Sequence, residues 1–208
     1  MFWCNHFLKL RVHKIDIKTV KVYDQKSDDY VSLVNRPPSE PLIAFAKAVK
    51  PGGLVLDLGC GPGMAAAFMR DSGLELNAVD ASSAMIKIAN ERYSLNAKKM
   101  NFSDVCGEEV YDGVWANFSL LHATKRDFKK HIKIIYDVLK SGGVFSIGMK
   151  LGIGERRDDL GRFYAYYNRS ELLQLLIDLG FVLKMEYLGE ELGLAGTVEP
   201  WITVRLNK

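Results

Sequence analysis

Cysteine is scarce: Cys4, Cys60 and Cys106 are the three in 208 residues, far apart, with no Cys-x-x-Cys or Cys/His cluster. This excludes a disulfide framework and a structural zinc site, and fits a reducing cytoplasm. Long apolar runs are also lacking. No stretch reaches the ~18 uninterrupted apolar residues of a membrane span, and Asn5, His6, Lys9 and Arg11 interrupt the N-terminal apolar residues before a signal-peptide core forms. Nor is there a broad excess of one charge. The net charge of +3 is uneven, because residues 1–22 hold five basic residues against one acid (+4), leaving 23 basic and 24 acidic residues (−1) in the rest. So neutral a body offers no basic stripe to a nucleic acid and favours a small-molecule partner. Residues 1–22 read as a basic, poorly ordered leader, and residues 23–208 as a single domain.

What is present is a regular alternation. The polar segment 23–35 has apolar residues at helical intervals and stops at Pro37-Pro38; residues 40–50 form a second amphipathic helix ended by Pro51-Gly52-Gly53. Strand patterns at 54–56, 74–79, 97–102, 112–117 and 144–149 then alternate with helical patterns at 63–72, 83–93 and 125–139. A helix from Ser170 to Leu179 and strands at 181–188 and 198–206 finish the chain. Strand–helix alternation means a mostly parallel sheet covered by helices on both faces, and the short loop before the last strand makes that strand antiparallel. The stretch 151–167 is the least regular, with glycines at 152, 154 and 161.

Residues 55–63 read Val-Leu-Asp-Leu-Gly-Cys-Gly-Pro-Gly. A buried strand delivers Asp57 to its carboxyl end, glycines let the backbone lie against a ligand, and a helix N-terminus follows. Met64 stands where a dinucleotide-binding GxGxxG motif needs its third glycine, which disfavours a nicotinamide oxidoreductase. Seventeen residues past Gly63, Asp80 ends the second strand, where a carboxylate can accept both hydroxyls of a ribose. Two acids and a glycine turn suit a nucleoside bearing an amino acid.

Over residues 23–206 the chain resembles the class I S-adenosylmethionine-dependent methyltransferases, in VLDLGCGPG, LNAVDASSAMIKIA and YDGVWANFSLLH, and most resembles the small bacterial, tellurite-resistance-like branch. The resemblance implies a three-layer Rossmann-like sandwich with a seven-stranded, mostly parallel sheet and one antiparallel C-terminal strand. It implies S-adenosylmethionine as cofactor and in-line methyl transfer to a small molecule. Gly59, Cys60 and Gly61 would lie against the methionine part, with Asp57 near its ammonium group. Asp80 would hold the ribose and Ala81 the adenine, with Phe102 and Asp104 at the adenine ring. Tyr23 and Tyr30 match the aromatic positions of an N-terminal helix that covers the cofactor. Asn117, Ser119 and His122 follow the fourth strand, where the methyl group emerges, and His122 is the candidate base. The chain lacks the Asn/Asp-Pro-Pro-Tyr of amide- and adenine-modifying members.

The stretch Lys150–Tyr167 is expected to be a flexible lid in which Lys150, Arg156, Arg157, Arg162, Tyr164 and Tyr166 offer cationic and hydrogen-bonding groups to an anionic or hydroxylated acceptor, with Arg156 and Tyr166 acting on it. Two other readings stay open: a binding module that keeps the cofactor without turnover, and, less favoured, the nicotinamide oxidoreductase.

Overall fold

A computed structural model describes residues 15–208. In chain order its strands are β1 (Leu54–Leu58), β2 (Glu75–Asp80), β3 (Lys98–Lys99), β4 (Tyr111–Asn117), β5 (Leu139–Lys150), β6 (Glu155–Arg157), β7 (Phe163–Ala165), β8 (Val182–Leu192) and β9 (Val198–Asn207). The helices are α1 (Ile17–Gln25), α2 (Ser27–Val34), α3 (Glu40–Ala48), α4 (Met64–Asp71), α5 (Ser83–Tyr93), α6 (Lys125–Val138) and α7 (Arg169–Asp178). Seven strands form one sheet in the order β3-β2-β1-β4-β5-β9-β8, with β9 antiparallel to both neighbours, as the sequence predicts.

Strand periodicity divides the core. Leu56, Leu58, Val114 and Ala116 join Phe128, Ile132 and Ile135 of α6 and Leu172 and Leu176 of α7, whereas Val55 and Trp115 join Leu42 and Phe45 of α3 and Met69 of α4. Helices therefore cover both faces of the sheet. The strand order reverses at β1/β4, so the carboxyl ends of these two strands open a crevice where their loops diverge.

Three expectations need correction. Residues 17–22 do not belong to a leader, because Asp16 caps α1, its side chain accepting from Thr19 N at 3.3 Å, and the helix continues without a break through Tyr23. The remainder of the expected leader, residues 1–14, lies outside the described residues. The expected single helix over 23–35 is two, since Lys26 caps α1 and opens α2 in one bend, φ −113° and ψ 29°. Nor is 151–167 an open lid. Its β6–β7 hairpin buries Arg162, Tyr164, Tyr166 and Tyr167, none more than 3% exposed, because these rings belong to the main core cluster.

Candidate active site

β1 carries Asp57 to the carboxyl edge of the sheet, and the chain turns at once into the glycine loop. Gly59 N and Cys60 N both donate to Val79 O of β2, at 2.8 and 2.9 Å, folding the loop over the neighbouring strand. Gly59 has φ +83°, and a Cβ there would lie 2.3 Å from Ser119 Cβ. Only glycine fits between this loop and the end of β4. Gly61 N donates to Asp80 Oδ2 at 2.9 Å, and Ser82 N donates to Asp80 Oδ1 at 2.8 Å. Each Asp80 oxygen keeps a lone pair for a ligand hydroxyl. Burial raises the Asp80 pKa, although these backbone donors oppose the rise.

Asp57 lies beneath the loop, 1% exposed, and its Oδ2 has no hydrogen-bond partner. Burial first, and then the charge of Asp80, push its pKa up to about 8. A ligand cation would compensate this carboxylate.

In front of the loop lies a cavity of about 630 Å³. Tyr23, Tyr30, Gly59, Gly61, Asp80, Ala81, Phe102, Asn117 and His122 all line it, so most of the expected residues come together. Cys60 and Asp57 do not line it. Cys60 is buried behind the turn, where burial raises its thiol pKa. Asp104 also faces elsewhere: its Oδ2 accepts from Asn101 N at 3.1 Å and from Asn101 Nδ2 at 2.9 Å, closing a capping box.

The roof is α1. Asp16, Thr19, Val20 and Tyr23 recur at helical spacing along its inner face and line the cavity. Arg157 clasps Asp16 with two donors, at 2.8 and 3.1 Å, and Phe163 N donates to Thr19 Oγ1 at 2.8 Å, tying the roof to the β6–β7 hairpin. On the other side Asp24 Oδ1 accepts from Ser82 Oγ at 2.6 Å and Ala84 N at 3.1 Å, which ties it to the start of α5. The sequence reading missed Asp16 and Asp24, and had Arg157 only among the cations of the expected lid.

His122 lies deep in the site. A carbonyl can only accept, so the 2.6 Å contact to Phe163 O makes Nδ1 the donor and leaves Nε2 to accept the Tyr23 hydroxyl at 2.9 Å. Burial lowers the His122 pKa to about 4 and keeps the ring neutral. Tyr23 Oη in turn accepts from Arg162 Nη1 at 3.1 Å, and Asp158 holds Arg162 at 2.7 Å.

Tyr166 and Arg156 lie outside the cavity. Tyr166 Oη donates to Glu199 Oε1 at 2.8 Å, and the Arg156 guanidinium stacks 3.8 Å from the Tyr166 ring centroid and 3.5 Å from Glu199. Both support Glu199 rather than face the glycine loop. Alternation along β6 points Arg157, not Arg156, at the cavity.

A glycine loop at the β1/β4 switch point, backed by a buried acid and faced by a strand-end acid, gives this α/β protein a site shaped for a nucleoside-like ligand. Residues 55–143 match a family model described as a methyltransferase domain. An uncharacterized methyltransferase from Staphylococcus carnosus is 30% identical over 128 residues, 61% of this chain and 60% of that protein. A carboxy-S-adenosyl-L-methionine synthase from Campylobacter fetus is 33% identical over 132 residues, 61% of this chain and 56% of that protein. The matches thus span less than two thirds of these relatives. Among solved structures, the Burkholderia thailandensis 1,6-didemethyltoxoflavin-N1-methyltransferase, with its substrate and S-adenosylhomocysteine bound, has the same fold at 20% identity, TM-score 0.64, over 91% of this chain and 88% of that one.

Proposed function

We propose that this chain is an S-adenosylmethionine-dependent methyltransferase with a small-molecule acceptor. The observation that carries the reading is the pair of buried carboxylates flanking the glycine loop: Asp57, with an unpartnered oxygen, and Asp80, with a free lone pair on each oxygen. Asp57 suits an ammonium group and Asp80 suits vicinal hydroxyls, and the two sit on either side of a turn that admits no side chain at Gly59. These are the polar features of the cofactor's amino-acid and ribose parts. Ala81, Met85 and Phe102 supply an apolar slot at the purine end.

When bound, S-adenosylmethionine supplies a methyl group already activated on a sulfonium. The protein then has to orient the partners and exclude water. α1 excludes the water. His122 is not the base the sequence suggested: its Nε2 lone pair is taken by Tyr23, and its low pKa makes a buried imidazolium costly. It is a positioning residue that fixes the Tyr23 ring against the cavity. Cys60 and Cys106 take part in no disulfide, which suits a reducing cytoplasm.

Calorimetric titration with S-adenosylmethionine, S-adenosylhomocysteine and NADH tests the cofactor; binding of NADH alone would overturn the reading. Mass spectrometry during an acceptor screen then follows the cofactor product. The likeness to the Campylobacter synthase favours one second reading, in which the cofactor itself is remodelled, and this would appear as a cofactor of changed mass with no methylated acceptor.

A further inference from the structure

Beside the main cavity lies a smaller, partly open recess of about 90 Å³. Tyr23, Tyr30 and Phe118 line both spaces, so the recess adjoins the main cavity at these three rings. Phe118 follows Asn117 at the carboxyl end of β4, beside the glycine loop, where Gly59 packs against Ser119.

Phe118 is held at φ +54°, a left-handed conformation that a bulky side chain rarely adopts. The conformation is built in from two sides. Phe118 N donates to Gly148 O at 3.0 Å, and a Cβ on Gly148 would lie 2.1 Å from Asn117 Oδ1. The Phe118 ring meets the Trp201 indole edge-to-face at 6.1 Å. Trp201 in turn lies over Gly189, its cross-strand partner, where a Cβ would come within 2.5 Å of Cζ2. Strained backbone at Phe118 and the missing side chain at Gly189 thus shape an aromatic slot that core packing alone does not require.

The charge around the slot is balanced. Its four charged lining residues are all engaged: Lys150 pairs with Glu199, Arg162 with Asp158, and Glu191 with Arg36. The two cations also lie against aromatic rings of the slot, Lys150 at 4.4 Å from the Tyr164 centroid and Arg162 at 5.3 Å from those of Tyr23 and Tyr164. An anion would find both cations already neutralised. A cationic ligand would find those ring faces occupied and both acids, Glu191 and Glu199, already paired.

Building on the methyltransferase reading, we infer that this recess is the acceptor subsite and that it takes an uncharged, flat apolar or aromatic group. The anionic acceptor expected from the count of Lys and Arg between 150 and 167 is thereby replaced, since those charges are paired within the protein.

The test uses the full chain saturated with S-adenosylhomocysteine and three single-ring probes of one shape, 4-methylphenol, 4-methylbenzoate and 4-methylbenzylammonium, titrated by ligand-observed NMR. The phenol should bind at least tenfold tighter than either ion. Trp201→Ala should weaken it at least tenfold, and Leu192→Lys, at a half-exposed rim position that folding tolerates, at least threefold. S-adenosylhomocysteine affinity should stay within threefold in both variants, since neither residue lines the main cavity. If S-adenosylhomocysteine binds but a charged probe matches the phenol, or if both variants hold the phenol as the parent does, the inference fails alone. If S-adenosylhomocysteine does not bind, the methyltransferase reading fails with it.

Discussion

Asp57→Asn should make the ligand-free protein more stable with rising pH relative to the parent, although it removes a residue of the site. With a pKa near 8 in the folded protein against an ordinary 3.8, the Asp57 carboxyl keeps its proton in the native state over a range where the unfolded chain has lost it. The native state then binds more protons, so stability falls as pH rises between those values, by about 1.4 kcal/mol per pH unit at most. From pH 5 to 7 the ceiling is about 3 kcal/mol, shared with Asp80, whose pKa burial also raises. In a domain of this size about 1 kcal/mol moves Tm by roughly 2–4 °C, so the gap should open by up to ~6–12 °C. The penalty of about 1–3 kcal/mol for burying the new amide does not depend on pH and drops out of the comparison. Thermal melts of both proteins at pH 5, 6, 7 and 8 decide it. Parallel curves would refute the reasoning. Binding S-adenosylhomocysteine at pH 7, measured in buffers of different ionisation enthalpy, should release close to one proton more from the parent than from the variant, as an ammonium returns Asp57 to its ionised form.

Gly59→Ala should cost at least ~2–3 kcal/mol in urea unfolding, combining a left-handed alanine with a contact at Ser119, whose hydroxyl is anchored to Leu58 O at 2.6 Å. Asp80→Ala should weaken S-adenosylhomocysteine binding by at least a hundredfold in calorimetry, two charge-assisted contacts of ~1.5–3 kcal/mol each being lost. It should also lower Tm, because Gly61 N and Ser82 N lose their acceptor. His122→Gln should leave the shape of the pH–rate profile between 6 and 8 unchanged, since His122 does not titrate there; a limb that vanishes with the substitution would restore it as a base. Asp16→Ala removes the α1 cap and the Arg157 clasp, so amide exchange over residues 17–25 should quicken while that of β1 and β4 stays slow.

The sheet was legible because its central strands β1, β4 and β5 carry mostly buried apolar runs such as Leu54–Leu56, Val114–Ala116 and Val144–Phe145, and because a glycine loop before a helix has few other uses. The outcome at 155–157 was not legible. In a strand, adjacent residues point to opposite faces, so choosing Arg156 over Arg157 required the register of a three-residue strand that the irregular composition hid. Asp104 and Tyr166 failed for another reason: a polar group at the right distance along the chain can be satisfied locally, as Asp104 is by Asn101 and Tyr166 by Glu199. The start of the roof was missed because the basic charge of residues 1–22 reads as a leader, although the resemblance already set Tyr23 in a helix over the cofactor. The inner face of α1 is recognised by what it touches rather than by its own pattern. Tyr23 and Tyr30 both line the cavity, yet the bend at Lys26 that lets both rings meet at 5.2 Å has no Gly or Pro to announce it.

The helix over the cavity is fastened at separate points, to Arg157 and Phe163 on the hairpin and to Ser82 and Ala84 on α5. The cavity can widen on this side only when these fastenings release together, so they set how far its mouth opens. Because the Asp16–Arg157 clasp is partly solvated, with side chains 21% and 41% exposed, salt loosens that side of the helix first. Ionic strength would therefore act on how far the mouth opens while the floor of the site, built on β1 and β4, keeps its shape.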